Sequence, residues 1–191
     1  MGELPLQVRA LVARSGVRLD DVQALAVSVG PGSFTGLRIA IAFAKGLAFA
    51  GDVPVAAVST LEALAVVAAA SPGERVCAAL DARKGEIYAA LFEAGVGGAL
   101  ARLTPDAVWQ PAALAAACGA GGVVVGDAPD VYAHAFAGMT VRPFASHHPR
   151  GDVVARLGAA RLVAGADTPL AALEPAYVRA PDAKLPDNPL R

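Results

Sequence analysis

The chain has 191 residues, a formal net charge of −1 at pH 7 and 55% hydrophobic residues. This charge balance excludes a protein that grips nucleic acid by itself, because neutralising phosphates requires clustered Lys and Arg side chains. No uncharged apolar run reaches the roughly 18 residues of a membrane-spanning helix, and no signal peptide is visible. The two cysteines, Cys77 and Cys118, have no metal-binding spacing. We therefore expect a cytoplasmic protein that uses neither a membrane, a metal nor a disulfide.

The predicted elements alternate between helices and strands, which is typical of an α/β fold. In chain order we predict helices over 4–15, 37–50, 60–70, 111–118, 129–137 and 152–164, and strands over 24–29, 53–58, 76–81, 86–93, 123–125 and 140–144. Ser59 and Glu62 form a capping box before the third helix. A Ser-Pro-Gly break at 71–73 follows that helix and indicates a boundary between lobes. We predict lobes over 1–74 and 75–168 and a proline-rich, extended or disordered tail over 169–191.

The helix over 37–50 follows a glycine-rich turn, 30–36, and is apolar on nearly every side. At roughly 100° per residue, the face that we assign to the sheet comprises Ala40, Phe43, Ala44 and Leu47. The opposite face comprises Arg38, Ile41, Ala42, Lys45 and Phe49. Because an apolar patch left in water marks an interface, we predict a contact with another polypeptide there. The alternative is that another segment of this chain covers Ile41 and Phe49.

The first helix also has two apolar stripes, Leu4, Val8, Leu11 and Val12 on one side and Leu6, Ala10 and Ala13 on the other. Two neighbouring helices that are each apolar on two faces suit a helical bundle shared between two molecules. The predicted partner interface comprises Val8, Leu11, Leu37, Arg38, Ile41, Lys45 and Phe49.

Four segments resemble the TsaB (YeaZ) family and have its spacing. They are 27–39 (Val-Ser-Val-Gly-Pro-Gly-Ser-Phe-Thr-Gly-Leu-Arg-Ile, continuing through 44–48), 58–64, 80–88 and 174–179. The resemblance implies an actin-like (ASKHA, ribonuclease-H-like) α/β fold of two lobes. It also implies a non-catalytic subunit of the complex that forms threonylcarbamoyladenosine in tRNA. The implied partners are the catalytic paralogue TsaD, which binds the bundle helices, and a TsaE-like ATPase. The resemblance implies that tRNA is contacted only through the complex.

One departure from the family concerns the N-terminus. Family members usually begin with a strand bearing an Asp-Thr-Ser turn and a hairpin, whereas Met1 falls just before the first helix. We therefore expect the first lobe to be incomplete there, through either a late start assignment or a shortened form.

The chemistry-bearing residues do not predict an active site. An anion could bind the turn formed by Gly32, Ser33, Thr35 and Gly36, although a tight turn capped by Ser33 or Thr35 explains it too. The charged hairpin with Asp81, Arg83, Lys84 and Glu86 indicates a solvated turn, with acid–base chemistry or a partner contact as alternatives.

The three histidines have no ligand spacing. We predict no catalytic residue, no metal and no cofactor, with ATP or ADP bound only at the interface of the complex. The alternatives are an actin-like ATP-binding phosphotransferase, a glycoprotease-like peptidase and a self-associating homodimer.

Overall fold

The fold is described from a computed structural model, which describes residues 3–179. Its α-helices are α1 Glu3–Ser15, α2 Phe34–Gly51, α3 Thr60–Val67, α4 Pro111–Cys118, α5 Ala128–Val131 and α6 Gly151–Val163. Its strands are β1 Leu25–Gly30, β2 Val55–Ser59, β3 Arg75–Arg83, β4 Glu86–Ala94, β5 Leu100–Arg102, β6 Ala107–Trp109, β7 Val123–Val125 and β8 Thr140–Arg142. Short 3-10 turns cover Leu19–Asp21, Val96–Gly98, Ala133–Phe136 and Leu170–Ala172.

Within the described residues the strands form two sheets. The smaller sheet is the parallel pair β1–β2. The larger one has the order β5-β4-β3-β7-β8, and β6 also pairs with β4. The β3–β4 pair is antiparallel, whereas β3–β7 and β7–β8 are parallel. A short turn at Lys84 and Gly85 joins β3 to β4, as the charged hairpin segment predicts.

The layers follow from which residues each sheet buries. Helix α2 and the segment with Leu173 cover one face of the small sheet, and α6 and α3 cover the other. Helix α3 also contributes Leu61 and Leu64 to the core on one face of the large sheet, whose opposite face packs against Leu114 of α4. Because α3 lies between the two sheets, its residues are buried almost all round, as expected for a helix that is apolar on every side.

Several predicted elements differ from the structure in extent. The predicted helix 129–137 is a short helix, α5, followed by a 3-10 turn, and the third helix ends at Val67 rather than at 70. Strands β5 and β6, three residues each, were not predicted, since so short a run has no measurable alternation. In the predicted extended or disordered tail, Leu170–Ala172 form a 3-10 turn and the following segment is extended, with the Ala176 amide bonded to the Val29 carbonyl. The rest of the predicted tail, 180–191, lies outside the described residues.

Helix α6 packs on the small sheet through Val153, Val154 and Gly158. A Cβ atom built on Gly158 would lie 2.3 Å from Cβ of Ala26 and 3.3 Å from Cβ of Ala56, so only glycine permits this approach. The lobe boundaries at 74 and 168 stay a prediction. They place α6 in the second lobe, although its main contacts are with β1 and β2 of the first.

Helix α2 is the one helix among residues 3–179 whose length and apolar content would allow it to cross a membrane. Helices packed in a protein core pass the same test, and Ile41, Ala44 and Ala48 of α2 are buried on the small sheet. Only 17% of the helix is buried within the described residues, so this packing accounts for part of its apolar composition.

Candidate functional site

The face of α2 that contacts the sheet differs from the predicted one. Ile41, Ala44 and Ala48 are the buried residues, with Ile41 only 4% exposed. Of the predicted sheet-facing residues, Ala44 is buried as expected, whereas Ala40, Phe43 and Leu47 are half-buried. The helix is therefore rotated by roughly a quarter turn from the prediction, because Leu170 and Leu173, far along the chain, complete the core on the other side of α2. Ile41 is a core residue, and its assignment to the partner interface is wrong.

The other predicted interface residues lie at the surface to different degrees. Phe49 is 83% exposed and Leu11 is 59% exposed. Arg38 is exposed, while Val8, Leu37 and Lys45 are half-buried. Helix α1 has no buried residue, and its Leu6 is 61% exposed. The structure thus leaves apolar side chains of both α1 and α2 in contact with solvent, and the interface itself stays a prediction.

The start of α2 opens onto a cleft between the small sheet and the β3–β4 turn. Ser33 is the N-cap, and its hydroxyl accepts a hydrogen bond of 3.3 Å from the Gly36 amide. The cleft has a volume of 580 Å³, and its lining includes Gly32, Ser33, Gly36, Asp81, Arg83, Tyr88 and Asp127. The predicted anion-binding turn therefore forms one wall of a real concavity, with Thr35 exposed beside it.

Asp81 on the opposite wall is held in a hydrogen-bond network. Its side chain is only 8% exposed and pairs with the Arg83 guanidinium at 3.2 Å. The Tyr132 hydroxyl donates to Asp81 at 3.0 Å, and the Asp81 amide donates to the Asp127 carboxylate at 2.7 Å. Burial, together with this bond to Asp81, raises the pKa of Tyr132. The interpretation of the hairpin as a solvated turn thus fails for Asp81 and holds for Arg83, which is 86% exposed.

The segment 174–179 joins the two walls of this cleft. The Ala176 amide donates to the Val29 carbonyl at 2.7 Å, and Arg38 Nε donates to the Tyr177 hydroxyl at 3.0 Å. Arg179 donates to the Ala82 carbonyl at 2.8 Å and pairs with Glu86. Sequence reasoning had only the resemblance of this short segment as a signal, because its partners lie near residues 30 and 80.

A second polar network fixes the start of α3. The Ser59 hydroxyl accepts from the amides of Leu61 and Glu62 and donates to Asp106 at 2.6 Å. The carboxylate of Glu62 pairs with Arg161 of α6 and lies 3.5 Å from Arg102. Ser59 is therefore the N-cap that the sequence predicts, and Glu62 ties α3 to α6.

The two cysteines lie in the core rather than at the cleft. Cys77 and Cys118 are buried free thiols in the core beside α4. Burial raises the pKa of Cys77 well above its usual range, which keeps the thiol protonated. Residues 3–179 contain no group of three His, Cys, Asp or Glu side chains that could hold a metal ion.

Comparisons with known proteins decide the family. A family model described as "TsaD: tRNA N6-adenosine threonylcarbamoyltransferase" matches residues 3–147. The solved structure "YeaZ from Pseudomonas aeruginosa" is similar with a TM-score of 0.79 and 33% identity, over 91% of this chain and 82% of that one. The chain belongs to the TsaB (YeaZ) family. The predicted family and the actin-like α/β fold are thereby confirmed.

The matches between this TsaB-family chain and its relatives cover different shares of each relative's length. The Escherichia coli (strain K12) "tRNA threonylcarbamoyladenosine biosynthesis protein TsaB" is 43% identical over 109 residues, which are 56% of this chain and 47% of that protein. A Mycobacterium tuberculosis protein named as uncharacterized is 33% identical over 179 residues, 93% of this chain and 74% of that protein. The match thus spans about half the length of the curated TsaB protein.

Proposed function

We propose that this chain takes part in forming threonylcarbamoyladenosine in tRNA, as a non-catalytic subunit that binds and supports a TsaD-like catalytic paralogue. Its curated relatives are named for the biosynthesis of this nucleoside. The observation that carries the proposal is the exposed apolar surface of α1 and α2, of which Phe49 is the most exposed member at 83%. A TsaE-like ATPase would join the complex, tRNA would be met only through it, and the site of action would be the cytoplasm.

The proposed interface consists of Phe49 and Lys45 of α2 together with Val8 and Leu11 of α1. Burying an aromatic side chain of this kind stabilises a complex by roughly 1.5–3 kcal/mol. Lys45 and the nearby Arg38 would lie at the polar rim, where charges guide orientation more than they add affinity. We propose that the isolated chain needs no cofactor and that ATP or ADP binds only where the subunits meet.

The first prediction concerns Phe49→Asp. This substitution should weaken association with the TsaD-like protein of the same organism by at least about 30-fold, because it removes a central apolar anchor worth about 2 kcal/mol. Isothermal titration calorimetry with the full 191-residue chain measures this effect.

The matched control is Val163→Asp, since Val163 is 90% exposed and lies at the end of α6. It should leave the dissociation constant unchanged. Equal binding by wild type and Phe49→Asp would refute the proposed interface. A wild-type chain that forms only homodimers and ignores the TsaD-like protein would refute the proposed function.

A second candidate, an enzyme with an actin-like nucleotide site, is favoured by two observations. The matching family model is named for a transferase, and the cleft at the start of α2 has a volume of 580 Å³. We expect the isolated chain to hydrolyse neither ATP nor peptides. Titration with labelled ATP, followed by phosphate release, separates the candidates: saturable binding with turnover would replace the accessory role by an enzymatic one.

A further inference from the structure

Arg38 of α2 is held against two exposed aromatic rings. Its guanidinium carbon lies 3.8 Å from the centre of the Phe34 ring and 5.9 Å from the centre of the Tyr177 ring. Arg38 Nε donates a hydrogen bond to the Tyr177 hydroxyl at 3.0 Å. Guanidinium groups stack on aromatic faces through cation–π attraction. Stacking and the hydrogen bond together fix the plane of the guanidinium, although Arg38 is exposed.

The terminal nitrogens of this guanidinium have no partner in the described part of the chain. Among residues 3–179, no carbonyl or side chain accepts a hydrogen bond from Nη1 or Nη2 of Arg38. Two parallel N–H groups on a planar guanidinium match the two oxygens of a carboxylate. An ordinary rim charge must be ordered when it pairs, whereas the plane of Arg38 is already fixed. Arg38 is therefore a preformed fork for an anionic group.

The surface around Arg38 has the length of a protein contact. At roughly 100° per residue, Phe34, Arg38, Lys45 and Phe49 lie within about 60° of one another around α2, and we call these four residues the α2 stripe. The stripe extends about 22 Å along the helix. Phe34 and Tyr177 are each 56% exposed, and Phe49 is 83% exposed. A phosphate group would cover only the fork, whereas a segment of a second protein covers the whole stripe.

We propose that the TsaD-like protein places an aspartate or glutamate side chain on the Arg38 fork and covers Phe34 and Phe49 with apolar side chains. This inference rests on the proposed function, because it names the chemistry of the surface that the partner presents to α2. The α2 stripe carries two cations, Arg38 and Lys45, and no acidic residue, so an acidic partner surface complements it. The carboxylate fixes the register of the partner along α2, and Phe49 supplies apolar area.

The bond to Tyr177 also gives Arg38 a role inside the chain. Tyr177 belongs to the segment 174–179, whose Ala176 amide donates to the Val29 carbonyl. The internal role uses Nε, whereas the proposed contact uses Nη1 and Nη2. Tyr177→Phe removes the internal hydrogen bond but keeps the stacked rings and the fork. It should therefore weaken association with the TsaD-like protein by no more than about threefold, since one of the two restraints on the guanidinium plane remains.

The test measures binding of the TsaD-like protein by the full 191-residue chain in isothermal titration calorimetry. Arg38→Met should weaken association at least about tenfold, because two charge-assisted hydrogen bonds are lost. Arg38→Lys keeps the charge but cannot present two parallel donors, so it should lose most of the same affinity. Arg156→Met is the matched control, since Arg156 lies on α6 with its side chain 68% exposed, and it should bind like wild type.

A double-mutant cycle identifies the carboxylate. Each exposed Asp or Glu of the TsaD-like protein is changed in turn to Asn or Gln. One of these changes should weaken binding of the wild-type chain at least about fivefold and have no further effect on binding of Arg38→Met. A structural role of Arg38 alone would instead give losses that add for every change on the partner.

Four results would overturn the proposal and leave the proposed function standing. They are additive losses throughout the cycle, wild-type affinity of Arg38→Met or Arg38→Lys, equal losses in Arg38→Met and Tyr177→Phe, and Arg38-dependent binding of inorganic phosphate by the isolated chain. The last result would assign the fork to a phosphate group. Absence of binding by the wild-type chain would refute the proposed function and this inference with it.

Discussion

Ile41 and Phe49 lie two turns apart on α2 and have opposite surroundings. Ile41 is 4% exposed within the core formed by α2, the small sheet and Leu173, whereas Phe49 is 83% exposed. We predict that Ile41→Asp lowers the free energy of unfolding by at least about 3 kcal/mol, because it buries a carboxylate without a partner. Urea denaturation followed by circular dichroism measures the loss.

Two controls make this prediction specific. Ile41→Val keeps the site apolar and should cost about 0.5–1.5 kcal/mol. Phe49→Asp should change stability by less than about 0.5 kcal/mol, since an exposed site has no packing to lose. If Ile41→Asp were as stable as wild type, the assignment of Ile41 to the core would be wrong.

The sequence predicts that α2 exists but not which way it faces. A helix with apolar residues on nearly every side has little periodic signal to set its rotation. The rotation instead depends on packing against Leu170 and Leu173, which are far from α2 in the sequence. Of the predicted sheet face, Phe43 and Leu47 are half-buried, and the buried face is formed by Ile41, Ala44 and Ala48.

Two glycines on helices provide a test of how closely the elements approach. Gly158 of α6 meets Ala26 of β1, where an added Cβ would lie 2.3 Å from Cβ of Ala26, whereas Gly46 of α2 has nothing within 4 Å. We predict that Gly158→Ala destabilises the protein by about 1–3 kcal/mol through overpacking. Gly46→Ala should stabilise it by about 0.5–1 kcal/mol, since alanine is the better helix former. Thermal unfolding of both variants measures the difference, and equal shifts would contradict the close approach of α6 to β1.

Local sequence patterns predict most of the helices and strands but not the contacts that hold the layers together. The sequence motif 80–88 predicted a hairpin, and the structure has one. Its Asp81 is buried because Tyr132 and Asp127, from a different part of the chain, bind it. The sequence predicts a disordered or extended tail over the segment 174–179, because none of its own residues indicates a core. Its order comes from Val29, Arg38 and Glu86.

Arg179 connects the small-sheet layer to the β3–β4 hairpin, and its removal should loosen that connection. Its guanidinium pairs with Glu86 and donates to the Ala82 carbonyl, and its side chain is 20% exposed. We predict that Arg179→Met, which keeps an apolar stem, lowers the free energy of unfolding by about 1–3 kcal/mol, the range for hydrogen bonds to charged groups. Urea denaturation measures this loss, and hydrogen exchange should show faster exchange of amides around the hairpin turn.

Arg83→Met is the matched control, because Arg83 lies on the same hairpin and is 86% exposed. Its removal should cost less stability than Arg179→Met, because the Arg83 side chain is 86% exposed and only its partner Asp81 is buried. In Arg179→Met, amide exchange could become faster only in residues 174–179 and stay unchanged in the hairpin. This result would mean that the segment is anchored to the hairpin but does not stabilise the hairpin. Faster exchange in both the segment and the hairpin would instead show that Arg179 links the small sheet to the hairpin across the cleft.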